Sequence, residues 1–129
     1  MSDVDAFLTV CSALTSHKPL WVIIEKAYIF LRDQSNWCQG AQALNARCEK
    51  VRINSPSAIA WSVEGALGKF SNNLGIVPPV LLSYMDRLVE DFTGCADGIG
   101  WFNDTYTHDA VLELLHAAVD KYKMGHGLL

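Results

Sequence analysis

Seven side chains carry the polar and aromatic groups that a binding or catalytic site would need. They are Trp37 and Gln39, Trp61 and Glu64, then Trp101, Asn103 and Asp104. Indole rings offer a flat apolar wall, and amides and carboxylates at its rim fix the orientation of a small ligand. In a hydrolytic reading, Glu64 or Asp104 is the general base. An exposed carboxylate titrates near about 4, so that role requires burial or a neighbouring like charge. The plainer reading is structural. Asn103 and Asp104 precede a helix, where such residues bond nearby backbone groups and shape the turn. In "NWCQG", residues 36–40, Trp37 anchors the segment, Gln39 satisfies exposed carbonyls and Gly40 supplies a positive φ. On this reading the two tryptophan-bearing segments pack together at one end of the domain, and no residue is assigned as catalytic.

Other reactive groups lack the setting they need. Cys38 follows the end of a helix, where the partial negative charge disfavours a thiolate. The four cysteines (Cys11, Cys38, Cys48, Cys95) form no C-x-x-C pair, which excludes zinc-ribbon and thioredoxin-like readings. Glu113, His116 and Asp120 share a helix face at spacings of three and four. Di-iron bundles need two Glu-x-x-His copies and further glutamates. This chain has one, so the face reads as solvated polar surface and no metal is expected. Ser62 and Glu64 lack a G-x-S-x-G elbow, and the sequence contains neither a P-loop nor a G-x-G-x-x-G turn, so no cofactor is expected.

The elements that would position these groups read as helices. Residues 4–15 carry Val4, Phe7, Leu8, Cys11 and Leu14 at helical spacing. Pro19 opens a second helix over 19–33, with Trp21, Ile24, Tyr28 and Leu31 on one stripe and Ile23, Ala27 and Phe30 widening it. Gly40 reads as its left-handed stop. Residues 41–53 lose the helical period and suit a short hairpin turning at Asn45. A third helix is expected over about 55–73, with Ser55 as N-cap, Pro56 in the first turn, and Ile59, Val63, Ala66, Leu67 and Phe70 facing inward. Gly65 and Gly68 inside it each cost roughly 1 kcal/mol of helix propensity, which implies close approach of another backbone. Pro78 and Pro79 start a fourth helix striped by Leu81, Met85, Leu88 and Phe92. "TGCADGIG" ends it, and residues 100–106 read as a loop. Thr107 caps a last helix that buries Val111, Leu115, Ala118 and Tyr122. The sum is a mainly α fold: one domain over 1–129, a compact bundle of about five helices with a possible short β-hairpin around 41–53.

Composition narrows the function. Half of the 129 residues are hydrophobic, enough for one buried core. Lys and Arg number 10 against 14 Asp and Glu, a net charge of −4. Arg47, Lys50 and Arg52 form the nearest basic cluster, and Glu49 interrupts it, so nucleic acid is not an expected partner. The first residues are acidic, unlike a secretory signal. The longest apolar stretch, "LWVIIEKAYIFL", is broken by Glu25 and Lys26 and too short for a bilayer. A cytoplasmic protein with reduced thiols and no membrane partner is the expectation.

Three segments in order carry a further likeness: "IIEKAYIFLRDQSNWCQG", "AIAWSVEGAL" and "IGWFNDTYTHDAVLELLHAA". Together they resemble a family of small bacterial and phage-encoded helical proteins, a domain of unknown function. Its pattern is a Trp-x-Gln-Gly turn, a helix with Gly-Ala-Leu, and Trp-Asn-Asp before the last helix. The likeness spans roughly residues 22–120. The chain departs from it at Phe102, which separates Trp101 from Asn103, at Ser62, where the family commonly has cysteine, and at Asn45-Ala46-Arg47, where Asp and Gly are usual. The resemblance implies the fold and the importance of the two tryptophan-bearing segments, and it supplies no reaction. With it, the expected function is a small non-enzymatic binding or accessory protein acting through a protein partner; a phage or mobile-element setting favours an inhibitor of a host complex. The alternative is a small-ligand or hydrolytic pocket built from the seven residues above. A homodimer along one of the wide helix stripes is a third expectation.

Overall fold

The computed structural model describes residues 20–125, and side chains through Lys121. The helix expected over 4–15, the opening Pro19 and the side chain of Tyr122 lie outside the described residues. Within them run α1 (Leu20–Leu31), a 3-10 turn (Gln34–Asn36), β1 (Ala43–Leu44), β2 (Ala60–Trp61), α2 (Val63–Ser71), α3 (Pro79–Thr93), α4 (Gly98–Thr105) and α5 (His108–Gly125). The fold is mainly α, with one small antiparallel sheet.

The core forms where the apolar stripes meet. α1 buries Ile23, Ile24, Ala27 and Leu31 and packs most extensively on α5 and α2. α5 presents Val111, Leu114, Leu115 and Ala118 from its buried face, and α2 presents Val63, Ala66 and Leu67. Full burial of each such Ile, Leu or Val side chain contributes about 1.5–3 kcal/mol. α3 adds Leu81, Met85, Leu88 and Val89 and carries α4 beside it.

β1 and β2 pair in the register Ala43↔Trp61 and Leu44↔Ala60. A bridge from Leu44 to Lys50 closes the turn expected at Asn45. The Asn45 side-chain oxygen accepts from the backbone N–H groups of Arg47 and Glu49, both at 2.9 Å. So the 41–53 hairpin exists only as that single bridge, and the longer partner of β1 comes from residues 60–61. Those residues read as helix in the sequence. Ser55 and Pro56 instead make a turn, in which the Ala58 N–H donates to the Ser55 carbonyl. The helix starts at Val63, and its cap is Ser62, whose hydroxyl accepts from the Gly65 N–H at 3.1 Å. A capping Ser-Pro pair is equally good turn chemistry, and pairing with β1 decided the matter. Ile59 is consequently outside the helix and exposed.

The glycines of α2 answer to close packing. A Cβ on Gly65 would stand 1.9 Å from the Gln42 carbonyl oxygen, and one on Gly68 would stand 2.5 Å from that of Gly75. α2 thus lies directly against two backbone segments, as the unfavourable propensity implied.

Three other expectations change. α1 stops at Leu31, so Gly40, with φ +82, is a left-handed turn residue well beyond the helix end rather than its stop. Residues 98–105 form a helix, α4, where a loop was expected. Gly98 and Gly100 weaken its helical signal, but the Asp86 carboxylate on α3 accepts from the Ile99 N–H at 2.8 Å. That bond, with burial of Ile99 and Phe102, outweighs the propensity cost. Phe92, assigned to the α3 stripe, is instead 47% exposed. The Thr107 hydroxyl does cap α5, accepting from the Ala110 N–H at 3.2 Å.

Candidate functional site

The tryptophan-bearing segments meet, and Asn103 is where they join. This asparagine on α4 is 1% exposed. Its side-chain oxygen accepts from the Trp37 indole N–H at 2.8 Å and from the Val63 backbone N–H, in the first turn of α2, at 3.0 Å. Its side-chain nitrogen donates to the Cys38 carbonyl at 3.0 Å and to the Asp104 carboxylate at 3.1 Å. Both partners of the oxygen can only donate, and both partners of the nitrogen can only accept. The orientation of the amide is therefore fixed by its surroundings, and it leaves no hydrogen-bonding capacity aimed at solvent.

Gln39 and Gly40 complete the junction. The Gln39 side-chain nitrogen donates to the backbone carbonyls of Asn103, at 3.0 Å, and Tyr106, at 3.1 Å, the latter just past the end of α4. Orphan carbonyls at a helix end require such partners. The Gly40 N–H donates to the Asp104 carboxylate at 2.8 Å. A single parallel bridge also joins Trp37 to Trp61 of β2, with the Cys38 N–H donating to the Trp61 carbonyl at 3.1 Å.

The remaining candidates are only loosely attached to this junction. Trp61 contributes its backbone, while its indole N–H points away to the Ile53 carbonyl at 2.9 Å. The Trp101 ring packs edge-on against Tyr106, with centroids 5.8 Å apart. Glu64 lies over α4, where its carboxylate would stand 3.8 Å from a Cβ on Gly100. Glu64 and Asp104 share a cavity of about 170 Å³ with Gly40, Gln42, Ser62 and Gly100. No indole lines it, so the aromatic wall of the pocket reading is missing from the place where the carboxylates meet.

Cys38 is placed against nucleophilic chemistry. Its thiol donates to the Ala41 carbonyl at 3.6 Å, and burial, reinforced by the nearby Asp104 charge, pushes it up to about 11. On α5, the His116 ring nitrogen lies 3.5 Å from the Asp120 carboxylate, both well exposed. Among the described residues, no group of three or more His, Cys, Asp or Glu side chains is placed to hold a metal ion. None of the described helices is long and apolar enough to cross a membrane.

Sequence reasoning missed a different surface. Tyr28 and His116, with rings 5.6 Å apart, form a ridge between α1 and α5. On one side lies a shallow groove of about 620 Å³ floored by Tyr28, Phe92, Leu112 and Ala117. On the other side lies one of about 280 Å³ with Ile29 and Val119. Ile29 is 57% exposed. Asp109 and Glu113 edge the first groove, and Glu25 and Asp120 edge the second. The helical period hid this surface: Phe92 falls in register with the buried stripe of α3, and only the packing of neighbouring helices leaves it outside.

Comparison with protein-family models, with curated proteins and with solved structures gives no match for this chain.

Proposed function

We propose that this chain is a small non-enzymatic binding domain whose partner is a protein, seated on the α1–α5 face. The observation that carries the reading is the pair of adjoining grooves on either side of Tyr28 and His116. Exposed Ile29 and Phe92 supply apolar anchors there, and four carboxylates stand at the edges. Large apolar side chains grouped on a surface and rimmed by charge are the usual mark of a docking site. The acidic rim favours a partner segment with basic residues flanking its own apolar anchors, such as an amphipathic basic helix.

The competing pocket reading draws less support. The amide groups of Gln39 and Asn103 are consumed in holding the two segments together, and the Cys38 thiol is held protonated. Groups committed in this way do not turn toward a substrate. An accessory or inhibitory role toward a host complex, the version that the resemblance to phage-encoded proteins favours, would work through the same α1–α5 face.

The test is affinity capture from the native host with wild-type protein, Ile29→Glu and Phe92→Glu in parallel. The expected result is one partner recovered by the wild type, lost from both variants, and mapped to a basic amphipathic segment. Equal recovery by all three would refute the assignment of this face. Sedimentation of the purified wild type separates a second copy of this chain from a foreign partner.

A further inference from the structure

Three aromatic rings converge where α1, β2 and α2 meet. The Phe30 ring stands edge-on to Trp61 and to Phe70, with both centroid distances 5.3 Å. The Lys69 ammonium lies 4.5 Å from the Trp61 ring centroid, 5.5 Å from Phe30 and 5.8 Å from Phe70. One cation is thus within reach of three ring faces or edges, where a single ring is the ordinary case. Beside it opens a cavity of about 420 Å³, lined by Trp61 alone of the three rings, by Lys69 and by uncharged polar groups including Asn54, Ser55 and Asn73, so that Phe30 and Phe70 meet only a cation seated where the Lys69 ammonium now lies. This cavity shares no lining residue with the grooves of the α1–α5 face.

We infer that Phe30, Trp61 and Phe70 form a cage for a methylated ammonium group, and that Lys69 is its resident competitor. The chemistry of the lining selects that class. A primary ammonium is strongly hydrated and is held best by a carboxylate, and no carboxylate lines this cavity. A quaternary ammonium has no N–H to surrender to water, so rings alone suffice to hold it. Lys69 itself is exposed. When displaced, its ammonium returns to water, and the Trp61 face that it covers becomes available. Because the lysine is tethered at the site, it competes at high effective concentration and sets the threshold for entry. The same trimethylammonium group could arrive as a free small molecule or on a modified lysine of a peptide.

The assay follows the indole N–H resonance of Trp61 during titration with tetramethylammonium chloride, against sodium chloride at equal ionic strength. The wild type is expected to show a saturable, cation-specific shift. Lys69→Ala, which removes the competitor, is expected to bind about tenfold more tightly. Phe70→Leu, which keeps apolar bulk but removes a ring, is expected to bind more weakly than the wild type. Choline and a trimethyl-lysine peptide form the two further arms; tighter binding of one of them identifies the source. Identical responses to tetramethylammonium and sodium in both the wild type and Lys69→Ala would overturn the cage. Unchanged affinity in Lys69→Ala would overturn the competitor role. If Phe70→Leu fails to fold, the wild-type and Lys69→Ala titrations still decide the question.

Discussion

Replacing Asn103 by aspartate tests whether the junction depends on an amide or merely on a polar group of that shape. The substitution preserves size and keeps an oxygen for the Trp37 indole and the Val63 N–H, 2.8 and 3.0 Å away. It removes the two hydrogens that now point to the Cys38 carbonyl, at 3.0 Å, and the Asp104 carboxylate, at 3.1 Å. An oxygen then faces two oxygens, one of them charged, at a site 1% exposed. An unsatisfied buried acceptor costs about 1–3 kcal/mol, and a buried like charge adds to that. The expected loss at pH 7 is roughly 3–4 kcal/mol, or a fall of about 11–15 °C in Tm for a domain of this size. Protonation relieves the conflict by restoring one donor. The introduced carboxylate therefore has a folded-state pKa raised above its unfolded value of about 3.9. Its penalty is full above the folded value and shrinks as the pH falls toward the unfolded one. Asn103→Ala breaks the same bonds without adding a charge, so its deficit should not depend on pH. Thermal unfolding of the three proteins at pH 7 and pH 4.5 supplies the comparison. A deficit for Asn103→Asp that is small, or equal at both pH values, would refute this account of the junction.

Two further expectations concern packing and titration. Gly65→Ala places a methyl group 1.9 Å from the Gln42 carbonyl oxygen, a backbone atom that cannot rotate away, so it should cost more than about 3 kcal/mol in urea unfolding despite the better helix propensity of alanine. The Cys38 thiol, held up to about 11 from an ordinary 9.0, should react far more slowly with iodoacetamide at pH 8 than the exposed Cys48. Because the raised value belongs to the folded state, its stabilisation is complete below pH 9 and is lost as the pH rises toward 11. Cys38→Ala should flatten that part of the pH–stability curve.

The sequence disclosed most where a local rule and the tertiary structure agree. Ile23, Ile24, Ala27 and Leu31 repeat at helical spacing and are buried as that spacing requires. Gly65 and Gly68 are expensive in a helix, and the backbone approaches that justify them are present. The reading failed where a distant partner decided. Residues 60–61 became strand because β1 offered them a ladder, and nothing local in "SPSAIAW" distinguishes that from a helix start. α4 was hidden by two glycines, and the Asp86 carboxylate that secures its first turn lies on another helix. Of the candidate site residues, Trp37, Gln39, Asn103 and Asp104 could be grouped from their types. That Asn103 joins three segments while Trp61 turns its indole elsewhere depends on side-chain directions that spacing does not encode. The α1–α5 grooves left almost no trace, since exposure of Phe92 depends on which neighbours fail to cover it.

The Asn103 junction also bears on the order in which the chain assembles. Its bonds span 66 residues to Trp37, 65 to Cys38 and 40 to Val63. Contacts of such separation carry the entropy of closing long loops and tend to be made late. The amide meets all of its partners only when the 37–40 segment, α2 and α4 are already together, so it serves as a final clasp rather than a nucleus. Its loss should chiefly hasten unfolding and leave the refolding rate nearly unchanged.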